Sequence, residues 1–240
     1  MPERDARVTV AVLGATGAVG QRFVSLLDGH PWFRVTALCA SDRSVGKTYG
    51  EAARWFLDRP MPAWARDMKV MPCRPGLEAR LAFSGLDASV AGDIEIAFAT
   101  AGHAVVSNSR NHRMDPDVPL LVPEVNHDHL DLLVEQKKRF PGGGCLVTNP
   151  NCSTVGLVMA LAPIQAAFGI VRLMVATLLS VWAARHAGVP AMDILDNIIP
   201  HIGGEEEKIE SESRKILGAP GEAAAFAISA HCHRVHVSRG

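Results

Sequence analysis

Apolar residues occur along this chain in two rhythms, short unbroken runs and helical stripes, and the two alternate. Val8 to Leu13 is a continuous run rich in β-branched residues, of the kind buried on both faces of a parallel sheet. After a small-residue stretch, Phe23, Val24, Leu26 and Leu27 mark the inner face of a helix. Val35 to Ala40 predicts the next strand, Asp93 to Ala101 a helix, and Ala104 to Ser107 a short buried strand. Leu120 to Asn126 reads as a further strand, and the charged stretch Asp131 to Arg139 as a solvated helix face. Pro141 to Gly144 is a loop before the strand Cys145 to Thr148. A helix near Thr154 to Phe168 and a strand near Val171 to Val181 follow. Alternating elements of this kind predict an α/β chain, and a domain boundary falls after Thr148. No internal repeat is visible.

The segment Gly14-Ala15-Thr16-Gly17-Ala18-Val19-Gly20 lies between the first strand and its helix. Strand, glycine turn and helix together bring backbone N–H groups against a pyrophosphate. The spacing is G-x-x-G-x-x-G rather than the commoner G-x-G-x-x-G, but small residues still stand at the turn and at the helix–strand contact. Gly14, Thr16, Gly17, Ala18 and Val19 are the expected cofactor contacts, the alternative being a plain strand-to-helix turn. The second strand ends in Ser41-Asp42-Arg43-Ser44. A free ribose hydroxyl prefers a carboxylate here, whereas a 2′-phosphate prefers an arginine with hydroxyl donors. Arg43 with Ser41 and Ser44 favours NADP over NAD, against Asp42. The first domain is therefore expected to be a Rossmann-type doubly wound parallel sheet.

Asn149-Pro150-Asn151-Cys152-Ser153-Thr154 places one cysteine behind a Pro-Asn turn, at the start of a helix. Unpaired N–H groups and the positive end of a helix dipole favour a thiolate, the form that attacks carbonyl carbon. The competing reading is a small buried hydrophobe, the commoner fate of a single cysteine. Arg110, His112 and Arg113 lie in a loop after a predicted strand, where doubly wound sheets place ligands, so Arg113 is a candidate anion holder.

Composition narrows the functional classes. Lysine and arginine number 24 against 25 aspartate and glutamate, so no global field recruits nucleic acid or an acidic membrane. The five cysteines lack the spacing of a disulfide framework or a paired zinc site, which fits a reducing, cytoplasmic compartment. No charged-then-apolar leader precedes Val8, and no apolar run is long enough to span a bilayer. His231, Cys232, His233 and His236 share one short segment with no carboxylate partner, so no metal site is expected.

Several motifs together resemble the aspartate-semialdehyde dehydrogenase family, in the subgroup typical of archaea, fungi and some bacteria. They are Val10 to Gly20, Asn111 to Leu120, Thr148 to Thr154, Asp193 to Asn197 through Pro200, and Ile202 to Glu210, in order along the chain. The resemblance implies a reversible, NADP-dependent and phosphate-dependent interconversion of aspartate semialdehyde and aspartyl phosphate, feeding lysine, methionine and threonine synthesis. It implies that Cys152 forms a thioester, which hydride reduces through a thiohemiacetal to the aldehyde. By position, Arg113 and Lys208 resemble the family's phosphate-binding pair. Arg234 resembles the arginine that clamps the substrate carboxylate, and Glu206 the glutamate that engages its amino group. The resemblance also implies that an incomplete α+β substrate and dimerisation domain follows the first, and that homodimers or homotetramers are built through it.

The departures from the family pattern are local. Where the family has Gln-Ala-Val-Ser-Gly-Ala-Gly, this chain has Leu179-Ser180-Val181-Trp182-Ala183-Ala184-Arg185, so an orienting glutamine is replaced by Leu179. The segment Phe83 to Ser89, read as a loop, also differs from the family's Phe-Ser-Ala-Leu-Pro-Ser-Asp, near the cofactor. The general-base histidine of the family's Asp-Gly-His motif is expected just beyond Gly240. Two other readings stand beside the family reaction. One is a related acyl reductase acting on malonyl-CoA or an acylglutamyl phosphate. The other is a non-catalytic NADP-binding remnant that associates with a full-length subunit.

Overall fold

A computed structural model describes residues 6–181 and 191–237. The chain separates into two compact units, the first running to Leu121 and including His129–Asn149. The second holds Val122–Asp128 and the chain from Pro150 onward.

In the first unit, β1 (Val8–Leu13) leads through the glycine turn into α1 (Ala18–Leu26) and β2 (Phe33–Ala40). Two single-turn helices, α2 (Tyr49–Ala52) and α3 (Ala63–Arg66), precede β3 (Val70–Pro72) and β4 (Leu81–Ser84). Then come α4 (Ala88–Thr100) and β5 (Ala104–Ser107). The chain next passes through α5 (Pro123–Asn126) in the second unit, and returns as α6 (Leu132–Arg139) and β6 (Cys145–Thr148). The six strands form one parallel sheet in the order β3-β2-β1-β4-β5-β6. The order reverses between β1 and β4, where a doubly wound sheet opens its ligand crevice. Strand periodicity divides the core accordingly. Val10 and Val12 join Val24, Leu38 and Tyr49 in one cluster, whereas Ala11 and Leu13 join Phe98, Phe140 and Leu146 in another. Both faces are covered, which is why these strands read as unbroken apolar runs.

Three expectations are corrected. Leu120 to Asn126 is not a strand: Leu120 makes one parallel bridge to Thr148, and Pro123–Asn126 is helical. Pro123 has no N–H for a ladder but suits the first helical position, and the Asn126 side chain accepts the Val122 N–H at 2.8 Å. Phe83 and Ser84 end β4 rather than open a loop. The helix expected from Asp93 begins at Ala88, because Asp87 caps it by accepting the Ser89 N–H.

The second unit begins with α7 (Cys152–Phe168) and β7 (Arg172–Ser180). After α8 (Ala191–Ile194) and β8 (Ile198–Ile199), α9 (Glu205–Ile216) leads to β9 (Ala227–Val235). The sheet order is β7-β9-β8, with β7 parallel and β8 antiparallel to β9. Ile209 of α9 packs on Ala230 and Cys232, with Leu157 of α7 and Leu179 of β7 against them.

Candidate active site

The glycine turn is built by close approach. Gly14 has φ +73°, and a Cβ there would stand 2.8 Å from the Gly85 carbonyl oxygen. A Cβ on Gly20 would stand 2.1 Å from the Gly14 carbonyl oxygen, so α1 seats on the turn only with hydrogen at that position. Gly85 is part of the same fit, since a Cβ on it would meet the Gly20 nitrogen at 3.0 Å and the Val19 side chain at 3.1 Å. Two buried side chains hold the turn from beneath. Tyr49 donates its hydroxyl to the Ala15 carbonyl at 2.7 Å, and Gln21 donates to the carbonyls of Thr16 and Arg54, each at 3.0 Å.

Gly17 caps α1 without a side-chain hydrogen bond, and Gly17, Ala18 and Val19 are exposed. The first N–H groups of the helix therefore face outward from a turn with no bulky side chain, which fits a pyrophosphate. Ser41 and Arg43 are exposed and Ser44 half-buried, in a turn closed by Ser44 N–H to the Ser41 carbonyl at 2.9 Å. Thr16 is half-buried in the glycine turn itself. Arg113 is buried, and its Nη2 donates to the Asn108 carbonyl at 2.9 Å.

In the second unit, Cys152 is the first residue of α7 and is exposed. Asn151 caps the helix, its side-chain oxygen accepting the Ser153 N–H at 2.9 Å. Asn151 is itself held by α9. Its amide donates to Glu205 Oε2 at 2.7 Å, and its backbone N–H donates to the buried Glu212 Oε2 at 2.7 Å. Lys208 donates to the other oxygen of Glu205, so Lys208, Glu205 and Asn151 form one chain of charge-assisted bonds ending at the turn that carries Cys152.

Glu206, one residue on, turns to β9. It accepts the Cys232 N–H at 2.9 Å and the His201 ring at 3.0 Å. The Cys232 N–H, with His201 beside it, holds the Glu206 carboxyl below the ordinary carboxylate range. Arg234 on β9 is buried and donates to the Ser180 carbonyl at 2.8 Å. Burial pushes the Cys145 and Cys232 thiols up. Among the described residues no three His, Cys, Asp or Glu side chains gather as a metal site.

The structure thus groups Cys152, Glu206, Lys208 and Arg234 in the second unit, and Arg113 with the glycine turn and Ser41 to Ser44 in the first. The model of the semialdehyde dehydrogenase NAD-binding domain matches residues 9–133, and that of the semialdehyde dehydrogenase dimerisation domain matches residues 161–240. The aspartate-semialdehyde dehydrogenase of Methanothermobacter thermautotrophicus is 50% identical over 97% of this chain and 69% of its own length. That of Archaeoglobus fulgidus is 46% identical over 98% of this chain and 69% of its own. The chain belongs to the aspartate-semialdehyde dehydrogenase family. The crystal structure of the Candida albicans enzyme with NADP superposes with a TM-score of 0.84 at 45% identity, covering 97% of this chain and 68% of that one.

Leu179, expected from the sequence to replace an orienting glutamine of aspartate-semialdehyde dehydrogenases, is half-buried against Ile209, Ala230 and Cys232. Trp182 and Arg185 lie outside the described residues. Sequence reasoning assigned no role to Asn151, Glu205, Glu212, Gln21 or Tyr49. The preference of helix N-caps for asparagine is a local signal that marks Asn151. Glu205 and Lys208 have helical i,i+3 spacing, but nothing local marks Glu212, whose partner is 61 residues away.

Proposed function

We propose that this chain catalyses the NADP-dependent, phosphate-dependent interconversion of L-aspartate 4-semialdehyde and L-4-aspartyl phosphate through a thioester on Cys152. The step serves lysine, methionine and threonine biosynthesis in the cytoplasm. In this reading residues 1–148 bind the cofactor, and residues 149–240 carry the catalytic thiol and build a homodimer or homotetramer. The observation that carries it is an exposed cysteine at the first position of α7, on a turn that α9 braces through Asn151. The match to a dimerisation-domain model supports the assembly, and the NADP-bound Candida structure supports the cofactor.

The Cys152 sulfur attacks the acyl carbon of aspartyl phosphate, forming a C–S bond as the C–O bond to phosphate breaks. Arg113 and Lys208 hold the departing phosphate, Arg234 holds the substrate α-carboxylate in bidentate fashion, and Glu206 accepts from its ammonium group. Lys208 and Glu206 enter this work from their bonds to Glu205 and to Cys232 and His201. Gly14, Thr16, Gly17, Ala18 and Val19 receive the dinucleotide pyrophosphate, while Ser41, Arg43 and Ser44 receive the 2′-phosphate. The bound dinucleotide supplies the hydride that takes the acyl group to the aldehyde level.

The test is phosphate-dependent NADPH formation from aspartate semialdehyde by the purified chain. We expect Cys152→Ala to lower the rate by at least about 10³-fold with NADPH affinity retained. A folded chain that binds NADPH yet shows no turnover would contradict the catalytic reading and favour the non-catalytic binder.

A further inference from the structure

Two cysteines take no part in that reaction and stand together beside the glycine turn. In the β2–β3 pairing, Cys39 lies opposite Met71 and Ala40 opposite Pro72, so Cys73 leaves the sheet at the end of β2. Its thiol donates to the Ala40 carbonyl at 3.7 Å, one residue along β2 from Cys39. Both belong to one apolar cluster, but Cys39 is fully buried whereas Cys73 is half-exposed. The pair adjoins the turn directly. Cys39 is in register with Leu13, and its carbonyl accepts the Ala15 N–H at 2.8 Å.

The pair is asymmetric. The neighbouring Cys39 holds Cys73 below the ordinary thiol range, while Cys73 and burial push Cys39 up. An accessible, more acidic thiol beside a buried resolving thiol is the arrangement of exchange-active dithiols.

We propose that Cys73 and Cys39 form a thiol-modification site for small-molecule disulfides, whose occupation opposes dinucleotide binding. Cys73 attacks one sulfur of the disulfide, forming a mixed disulfide and expelling the other half as a thiolate. Cys39 then attacks the Cys73 sulfur and releases the second half, with the Cys39 proton leaving on a departing thiol. The protein dithiol is oxidised to a disulfide, and the small disulfide is reduced to two thiols. Both the mixed disulfide and the internal bond stand beside the Gly14 turn, where Cys39 pairs with Leu13 and receives the Ala15 N–H. Binding linkage makes the opposition mutual, so dinucleotide protects the pair. This inference rests on the reading of the turn as the cofactor site.

The experiment uses the whole chain with Cys152→Ser and Cys145→Ser, which remove the exposed thiol and the other half-buried one, and glutathione disulfide as probe. NADPH affinity is first titrated on the reduced chain; failure there removes the cofactor reading before any oxidant is added, and this inference with it. After oxidation we expect a Cys39–Cys73 cross-link in the non-reducing peptide map and at least a tenfold loss of NADPH affinity, both reversed by dithiothreitol. NADPH added beforehand slows the cross-linking, and Cys73→Ser abolishes it. Cys39→Ser halts the chain at the Cys73–glutathione adduct, which keeps the test decisive if Cys73→Ser fails to fold. Absence of both cross-link and adduct at equilibrium overturns the proposal, as does a cross-linked chain with unchanged NADPH affinity.

Discussion

Asn151 and Glu95 show how single polar residues organise the two units. Asn151 accepts the Ser153 N–H and donates to both Glu205 and Glu212, so one side chain and one N–H orient the turn before Cys152. Replacing it with alanine is expected to lower stability by about 0.5–2 kcal/mol, as for other lost caps, measured by urea denaturation of the variant against the parent chain. Glu95 of α4 is fully buried between β4 and β5. Ser84 and Ser107 each donate to its Oε1 at 2.6 Å, and its Oε2 has no hydrogen-bond partner among the described residues. Burial raises its pKa above the ordinary carboxylate range, despite the two hydroxyl donors. The folded form therefore holds the proton longer than the unfolded form as pH rises. The associated stability is complete below the unfolded value and is lost as pH climbs through the folded one. Urea midpoints measured between roughly pH 4.5 and pH 8 should fall more for the parent chain than for Glu95→Gln. Parallel profiles would show that Glu95 does not titrate in this range.

At the scale of elements, the α9–β9 contact is made by carboxylates rather than by apolar packing alone. β7 occupies one edge of β9, and β8 pairs only with Arg234 and Val235 on the other. The Ala230 and Cys232 N–H groups on that second edge go instead to Glu210 and Glu206, one helical turn apart. Glu210→Ala leaves the Ala230 N–H without its partner and is expected to cost about 1–3 kcal/mol in a denaturation experiment. Glu206 has the opposite pH sign from Glu95. Its lowered carboxyl contributes above the unfolded value, and the contribution is lost as pH falls through the folded one. The α1–β1 contact is tighter still. Gly20→Ala places a Cβ against the Gly14 carbonyl, which is expected to cost about 1–3 kcal/mol and to weaken NADPH binding measured by fluorescence titration.

At the scale of the whole molecule, one face of the second unit is open among the described residues. Met174 and Leu178, on the same side of β7, are 80% and 69% exposed, and Phe168 and Val171 before that strand are 86% and 81% exposed. Apolar patches of this kind mark association surfaces. Leu178→Lys is expected to leave the secondary structure intact and shift the proposed oligomer toward monomer, read by sedimentation velocity. An unchanged assembly would place the interface elsewhere.

Much of this organisation was legible in the residues alone. The runs at Val8 to Leu13, Val35 to Ala40, Ala104 to Ser107 and Cys145 to Thr148 are strands because β-branched and small apolar residues pack on both faces of a parallel sheet. The glycine turn was legible because only hydrogen fits at Gly14 and Gly20. Short strands were not legible. β3 has three residues and ends in proline, and β8 has two, too few to show a period. Tertiary structure alone decided which distant polar groups meet: Glu212 with Asn151, Glu206 with Cys232, and Gln21 with Arg54. Local propensity and periodicity act over a few residues. The partner of a buried donor is selected only when packing removes the water that would otherwise have satisfied it.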